Sequence, residues 1–150
     1  TGLPLIVHTR DADDDMAAIL KEEAEQGTFP GVLHCFSSGR ALAEAALGLG
    51  FYISLSGIVT FRNAEDLRAI ARDLPLDRLL VETDSPFLTP VPFRGRPNSS
   101  YLIPLTLRAM AAHLGTDVSV LAALISSNTE EVYGRWNSEP VTDPPNPFGE

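Results

Sequence analysis

Cysteine is almost absent from this chain of 150 residues, in which Cys35 is the only one. A single cysteine excludes an internal disulfide bond, and it excludes a metal site built from several cysteines. It is compatible with a reducing compartment, and we expect the protein to be cytoplasmic.

Long apolar runs and a basic leader are absent as well. No apolar run approaches the roughly 20 residues that a membrane helix needs. The first residues also lack the basic segment and apolar stretch of a secretory signal. We therefore expect no membrane partner. The chain begins with Thr1 rather than Met, which is compatible with missing upstream sequence.

Basic residues are few: 11 Lys and Arg stand against 20 Asp and Glu, for a net charge of −9. Non-specific nucleic-acid binding depends on Lys and Arg that neutralise phosphates, so the composition disfavours a DNA-coating role. The same composition is compatible with an enzyme that binds a few nucleotides through a bound metal ion. The apolar share of 44% is that of an ordinary globular protein, and the length suffices for one domain with a sizeable core.

Short apolar segments alternate with amphipathic ones, a pattern that predicts parallel βα units. We predict strands at 3–8, 31–36, 51–56 and 79–84, each of the first three followed by a helix. Asp11 or Asp13 is predicted to cap the first helix and Asn63 the third.

The chain beyond the fourth strand has a different character. Residues 85–100 form a proline-rich connection, and helices are predicted at about 104–114 and 118–133, with Asp117 capping the second. From residue 137 onward, four prolines and acidic residues predict a flexible tail. We therefore divide the chain into a folded part, 1–136, and a tail, 137–150.

Four βα units are half of an eight-stranded TIM barrel, which needs about 250 residues when complete. The alternative is an open four-stranded parallel sheet with helices on both faces, which suits the length better. The positions of the polar residues distinguish the two.

Three polar residues lie at or near the ends of predicted strands: His8 and Asp84 each end one, and His34 lies near the end of the second. Active sites of TIM barrels lie at the carboxyl ends of the strands, and imidazole and carboxylate bind Zn²⁺, Mn²⁺ and similar ions. Strand alternation places Glu82 on the side of Asp84 and turns Cys35 away from His34, toward the helices. The spacing alone leaves open both a metal site and hydrogen-bonded structural residues.

Local sequences around these residues resemble the TatD family of metal-dependent deoxyribonucleases. Segment 4–12, PLIVHTRDA, is similar to the family's fifth strand, and 33–39, LHCFSSG, resembles its HCFSG motif with Ser38 in addition. Segment 80–88, LVETDSPFL, resembles the ETDxP signature, and 94–98, RGRPN, the basic loop that follows. The SNT of 127–129 lies in a helix like the family's last. The resemblance covers about residues 3–136.

The resemblance implies the C-terminal half of a TIM-barrel hydrolase with two divalent ions, Mg²⁺, Mn²⁺ or Zn²⁺, in each complete domain. His8 and His34 would hold one ion, and Asp84 would hold the other and act as general base. Glu82 would support the ligands as a hydrogen-bond partner.

The substrate that the resemblance implies is DNA, with phosphodiester bonds cleaved from the 3′ end and single strands favoured. Arg62, Arg94 and Arg96 are candidates for binding substrate phosphate, because a guanidinium binds phosphate through two hydrogen bonds. Salt bridges within the loops are an equally good interpretation of these arginines.

One departure from the family is serious, because the family's His-x-His pair and its bridging Glu are both missing. The chain carries half of the implied ligands, so we do not expect it to turn over alone. A half barrel also exposes sheet edges, so it must pair with something or belong to a longer protein. The alternatives are an amidohydrolase-like barrel that cleaves a small amide or ester, and an inactive half barrel that dimerises through its edges. The oligomeric state stays open.

Overall fold

A computed structural model describes residues 2–134 and shows one parallel sheet with the strands in sequence order. The strands are β1 (Leu5–Val7), β2 (Gly31–Leu33), β3 (Tyr52–Leu55) and β4 (Leu79–Val81). The helices are α1 (Asp13–Gln26), α2 (Arg40–Gly48), α3 (Glu65–Asp73), α4 (Ile103–Leu114) and α5 (Val118–Tyr133). Short 3-10 turns lie at Gly57–Thr60, Leu76–Arg78 and Ser100–Leu102. The predicted alternation of strand and helix is confirmed, although each strand ends sooner than predicted.

The main core lies between the sheet and its helices. Val7, Leu33, Ile53 and Leu79 stand side by side across the four strands and belong to one buried cluster. Burying a side chain of this size stabilises the fold by about 1.5–3 kcal/mol. Packing at the start of β2 is so close that a Cβ on Gly31 would lie 2.3 Å from the Phe51 ring, so only glycine fits there.

The opposite face of the sheet carries a much smaller cluster, formed by Val32, Tyr52 and Leu80 with Val132 of α5 against it. Strand β1 pairs with β2 alone within the described residues, and its Leu5 and Ile6 are about half exposed. The β1 edge thus lacks the cover that a complete barrel gives it, whereas Val32, Tyr52 and Leu80 on the inner strands are buried.

Two of the three predicted helix caps are wrong. Ala12 and Ala64 precede α1 and α3, and neither helix has a side-chain cap. The Asp13 carboxylate instead accepts a hydrogen bond of 2.7 Å from the Gly39 backbone N–H, which ties the start of α1 to that of α2. Asp117 is confirmed as the cap of α5, because its carboxylate accepts from two backbone N–H groups of the first turn.

No single helix of residues 2–134 is long and apolar enough to cross a membrane. Residues 100–114 and α5 pass such a test of length and composition only as a pair, and the pair is bent by 112°. The tail predicted for 137–150, and its boundary at 136, lie outside the described residues.

Candidate metal centre at the carboxyl ends of the strands

His8 and His34 lie side by side at the carboxyl ends of adjacent strands. Each directly follows its strand, and their ring centroids are 5.9 Å apart. The backbone N–H of His34 donates to the Val7 carbonyl at 2.8 Å, which continues the ladder between β1 and β2 beyond the last assigned residues. The predicted pair of imidazoles at one end of the sheet is therefore present.

His34 is oriented by Glu82, which comes from the end of β4. Nδ1 of His34 lies 2.9 Å from both carboxylate oxygens, and Oε2 accepts the hydrogen bond. An ionised carboxylate only accepts hydrogen bonds, so in the neutral imidazole the proton lies on Nδ1 and Nε2 keeps its lone pair. This is the arrangement that prepares a histidine to bind a metal through its other nitrogen.

Short side chains on β3 and directly after it, in the same extended segment, separate these two partners. By strand alternation Ser54 and Ser56 lie on the same face as Tyr52, and both serines are buried. Their small size leaves room for His34 to reach across the strand to Glu82.

Asp84 lies beside the free nitrogen of His34. Its Oδ1 is 3.6 Å from Nε2, longer than the 2.7–3.2 Å of an ordinary N–H···O hydrogen bond. His34 and Asp84 are each about one-third exposed at the side chain, so both reach the open end of the sheet. The prediction that Glu82 and Asp84 point to the same side agrees with these contacts, although both residues follow β4 rather than belong to it.

The donor types fit a divalent cation, but the set is incomplete. Two imidazoles and two carboxylates face one region, and the buried Oε1 of Glu82 accepts no hydrogen bond from the described residues. A buried carboxylate oxygen normally has such a partner. No three His, Cys, Asp or Glu side chains in 2–134 come together closely enough to hold a metal ion. The residues of 2–134 therefore do not form a complete metal site by themselves.

Cys35 takes no part in this set. Its predicted burial is confirmed, but strand alternation does not govern its direction, because His34 and Cys35 form a turn beyond β2 and Cys35 has φ 48°. The thiol donates to the Ser56 hydroxyl at 3.3 Å. Burial raises the pKa of the Cys35 thiol. The hydrogen bond to Ser56 and the charge of Arg10 oppose this rise, and the negative charges of Glu82 and Asp84 add to it. The thiol therefore stays protonated at neutral pH and is a poor nucleophile.

The three candidate arginines occupy different settings. The Arg94 guanidinium lies 3.7 Å from the centroid of the Phe61 ring, a cation–π contact. Arg96 lines a cavity of about 420 Å³, and Arg62 is exposed. None of them forms a salt bridge with a carboxylate in the described part of the chain, so the salt-bridge interpretation finds no support.

The sequence did not predict the buried contacts of two polar residues, one beside the carboxyl ends of the strands and one at the start of β4. Arg68 of α3 is 7% exposed, and its Nη1 donates to the carbonyls of Val59 and Phe61 at 3.1 and 2.6 Å. Asn128 of α5 donates from Nδ2 to the carbonyls of Leu76 and Leu79 at 2.9 and 2.8 Å. The only signal for Arg68 was its position one turn before Ala71 on the buried side of α3.

Comparison with known proteins identifies the same family that the motifs suggested. The family model described as TatD related DNase matches residues 1–134. The chain is 53% identical over 130 residues to the uncharacterized metal-dependent hydrolase YcfH of Escherichia coli K12, covering 87% of this chain and 49% of that protein. It is 34% identical over 139 residues to the 3′-5′ ssDNA/RNA exonuclease TatD of Klebsiella pneumoniae, covering 89% and 52%.

A solved structure agrees in fold. The structure of YjjV, a TatD homologue from Escherichia coli K12, superposes with a TM-score of 0.81 at 28% identity, covering 89% of this chain and 51% of that one. The sheet and helices described above are therefore part of a TIM-barrel hydrolase fold, and the open-sheet alternative is wrong. The chain spans about half the length of each of these relatives.

Proposed function

The chain belongs to the TatD-related DNase family, and from that premise we propose that it supplies the carboxyl-terminal half of a barrel enzyme that hydrolyses phosphodiester bonds with divalent metal ions. The observation that carries the proposal is the row His34, Glu82 and Asp84, in which Glu82 fixes the imidazole and Asp84 lies beside its free nitrogen.

His8 and His34 would hold one ion, and Asp84 would contribute to a second. Bound divalent ions acidify water and neutralise the charge that develops on the phosphate oxygens. The incomplete donor set means that the remaining ligands come from residues outside this chain's described part, as the half-length match to the relatives implies.

The protein side of the reaction is a proton transfer. Glu82 keeps the proton on Nδ1 of His34, so Nε2 remains a ligand rather than a donor. Asp84 has a partly exposed carboxylate at the open end of the sheet, where it takes a proton from the attacking water as general base.

DNA is the proposed substrate, and a free 3′ end of a single strand the proposed site of attack. Support comes from the name of the Klebsiella relative, a 3′-5′ exonuclease on single-stranded DNA and RNA. Arg62, Arg94 and Arg96 form no salt bridge with a carboxylate in the described residues, so their guanidinium groups are available to substrate phosphates.

A hybrid protein tests the proposal, with this chain replacing the matched segment of YcfH. We expect Mg²⁺- or Mn²⁺-dependent release of nucleotides from the 3′ end of labelled single-stranded DNA, and no turnover by the 150-residue chain alone. Hydrolysis of small esters or amides without cleavage of DNA would refute the proposed substrate.

A further inference from the structure

The connection after Asp84 is a loop whose two ends are joined by hydrogen bonds. The Phe87 N–H donates to the Asp84 carbonyl at 2.7 Å. The Asn98 N–H donates to the Pro86 carbonyl at 2.9 Å, and its Nδ2 donates to the Phe87 carbonyl at 2.7 Å. Asn98 is only 7% exposed. The far end of the loop therefore returns to within two residues of Asp84.

A second set of contacts holds the middle of this loop against the Gly57–Thr60 turn. A Cβ on Gly57 would lie 2.1 Å from the Leu88 carbonyl oxygen, so only glycine allows this approach. The Val91 N–H donates to the Thr60 hydroxyl at 2.9 Å, and the Arg94 guanidinium stacks on Phe61. These contacts hold the loop against the Gly57–Thr60 turn and Phe61.

The cavity of about 420 Å³ described above is formed by this loop and the Ser100–Leu102 turn that follows it. Its lining consists of Phe93, Arg96, Pro97, Tyr101 and Leu102. Tyr101 is 76% exposed and Phe93 44% exposed. Arg96 is the single charged residue of the lining, in a chain whose net charge is −9.

We propose that this cavity binds one nucleotide of a single strand, with the base stacked on Tyr101 and the adjoining phosphate held by Arg96. Exposed aromatic rings beside a guanidinium are the elements from which single-strand sites are built, because every base offers a π-face and every linkage a negative charge. The loop that carries the cavity starts at Asp84, which suits a nucleotide of the strand being cleaved. The inference rests on the proposed function for its choice of DNA.

Fluorescence anisotropy on the 150-residue chain, without added metal, tests the inference. The probes are labelled oligothymidylate and an abasic oligodeoxynucleotide of the same length. Tyr101→Ala should weaken oligothymidylate binding roughly tenfold, as expected for one lost stack, and leave abasic binding unchanged. Tyr101→Phe should bind like the unaltered chain.

Arg96→Ala should weaken both probes and lower the salt dependence of binding by about 0.7 in log–log slope, the contribution of one phosphate contact on a single strand. Phe87→Ala is the matched aromatic control, because Phe87 is 68% exposed and lies outside the cavity lining. Arg108→Ala is the charge control on α4. Neither control should change affinity.

A second measurement does not depend on affinity. Irradiation of an oligonucleotide that carries 5-iodouracil should crosslink its base to Tyr101, as located by mass spectrometry. Equal affinity of Tyr101→Ala and the unaltered chain for oligothymidylate, or a crosslink elsewhere, would overturn the inference. DNA cleavage by the hybrid could then still stand. Conversely, if a hybrid bound DNA through Tyr101 without cleaving it, that result would support the nucleotide-binding role of the cavity and refute the proposed activity.

Discussion

His34 donates from Nδ1 to Glu82 across β3, between residues 48 positions apart in the chain. The bond joins the ends of β2 and β4 and leaves Nε2 directed toward Asp84, 3.6 Å away. The small side chains of Ser54 on β3 and of Ser56 directly after it leave room for this contact. The geometry of the site therefore depends on the neighbouring strand as well as on its own residues.

Glu82→Ala should weaken metal binding more than it weakens the fold. Without the carboxylate the proton of His34 is free to move to Nε2, and the ring loses its orientation. We expect Mn²⁺ affinity in the hybrid to fall about 10- to 100-fold, measured by isothermal titration calorimetry. Glu44→Gln, on the exposed side of α2, is the control. Unchanged affinity in Glu82→Ala would remove the positioning role.

Asn128→Ala should destabilise the attachment of α5 to β4. The substitution leaves two carbonyls, those of Leu76 and Leu79, without their side-chain donor. The free energy of unfolding should drop by about 1–3 kcal/mol, measured by urea denaturation. Ser127→Ala, at the exposed neighbouring position, should lower the free energy of unfolding far less. Equal effects of the two substitutions would contradict this account.

Arg68→Lys should loosen the turn on which the 85–99 loop rests. A lysine carries the charge but lacks the fork that reaches Val59, Phe61 and Glu65 together. We expect a loss of roughly 1–3 kcal/mol in the free energy of unfolding. Arg72→Lys, which changes an exposed partner of Glu65, should have little effect, and a similar loss there would argue against a special role for Arg68.

His113 should make stability fall in mild acid. Burial lowers the pKa of the His113 imidazole, and the positive charges of Arg68 and Arg72 lower it further, against an opposing effect of Glu65. The unfolded chain therefore takes up the proton more readily than the folded one. The contribution of neutral His113 to the free energy of unfolding is complete above the unfolded pKa of about 6.5. It is lost progressively as the pH falls below that value.

The measurement for His113 is the free energy of unfolding from about pH 8 to pH 5 in the unaltered chain and in His113→Gln. The variant should lose less stability across this range, and parallel curves would show that His113 contributes nothing. Taking the difference between the two proteins removes the contribution of every other group, because both proteins share them.

Sequence periodicity was sufficient to predict the parallel βα order and the placement of His8 and His34 at strand ends, because both depend on local pattern. Asp84 was predicted to end the fourth strand, but β4 ends three residues earlier, at Val81. Periodicity failed where a contact with a residue distant in the sequence determines the local structure. Asp13 binds Gly39 instead of capping α1, and Cys35 turns at positive φ instead of continuing a strand. The burial of Arg68 depends on the carbonyls of the Gly57–Thr60 turn and Phe61, which no spacing within α3 reveals.

The most direct test of the central claim compares the hybrid of YcfH with the same hybrid carrying Asp84→Asn. Asparagine keeps the shape of the side chain but cannot accept the proton of the attacking water. We expect Mn²⁺-dependent release of nucleotides from single-stranded DNA to fall about 10²- to 10⁴-fold, with an unchanged melting temperature and with full activity in the exposed control Asp66→Asn. Equal rates for the hybrid and its Asp84→Asn variant would contradict the claim that this chain carries the catalytic carboxylate.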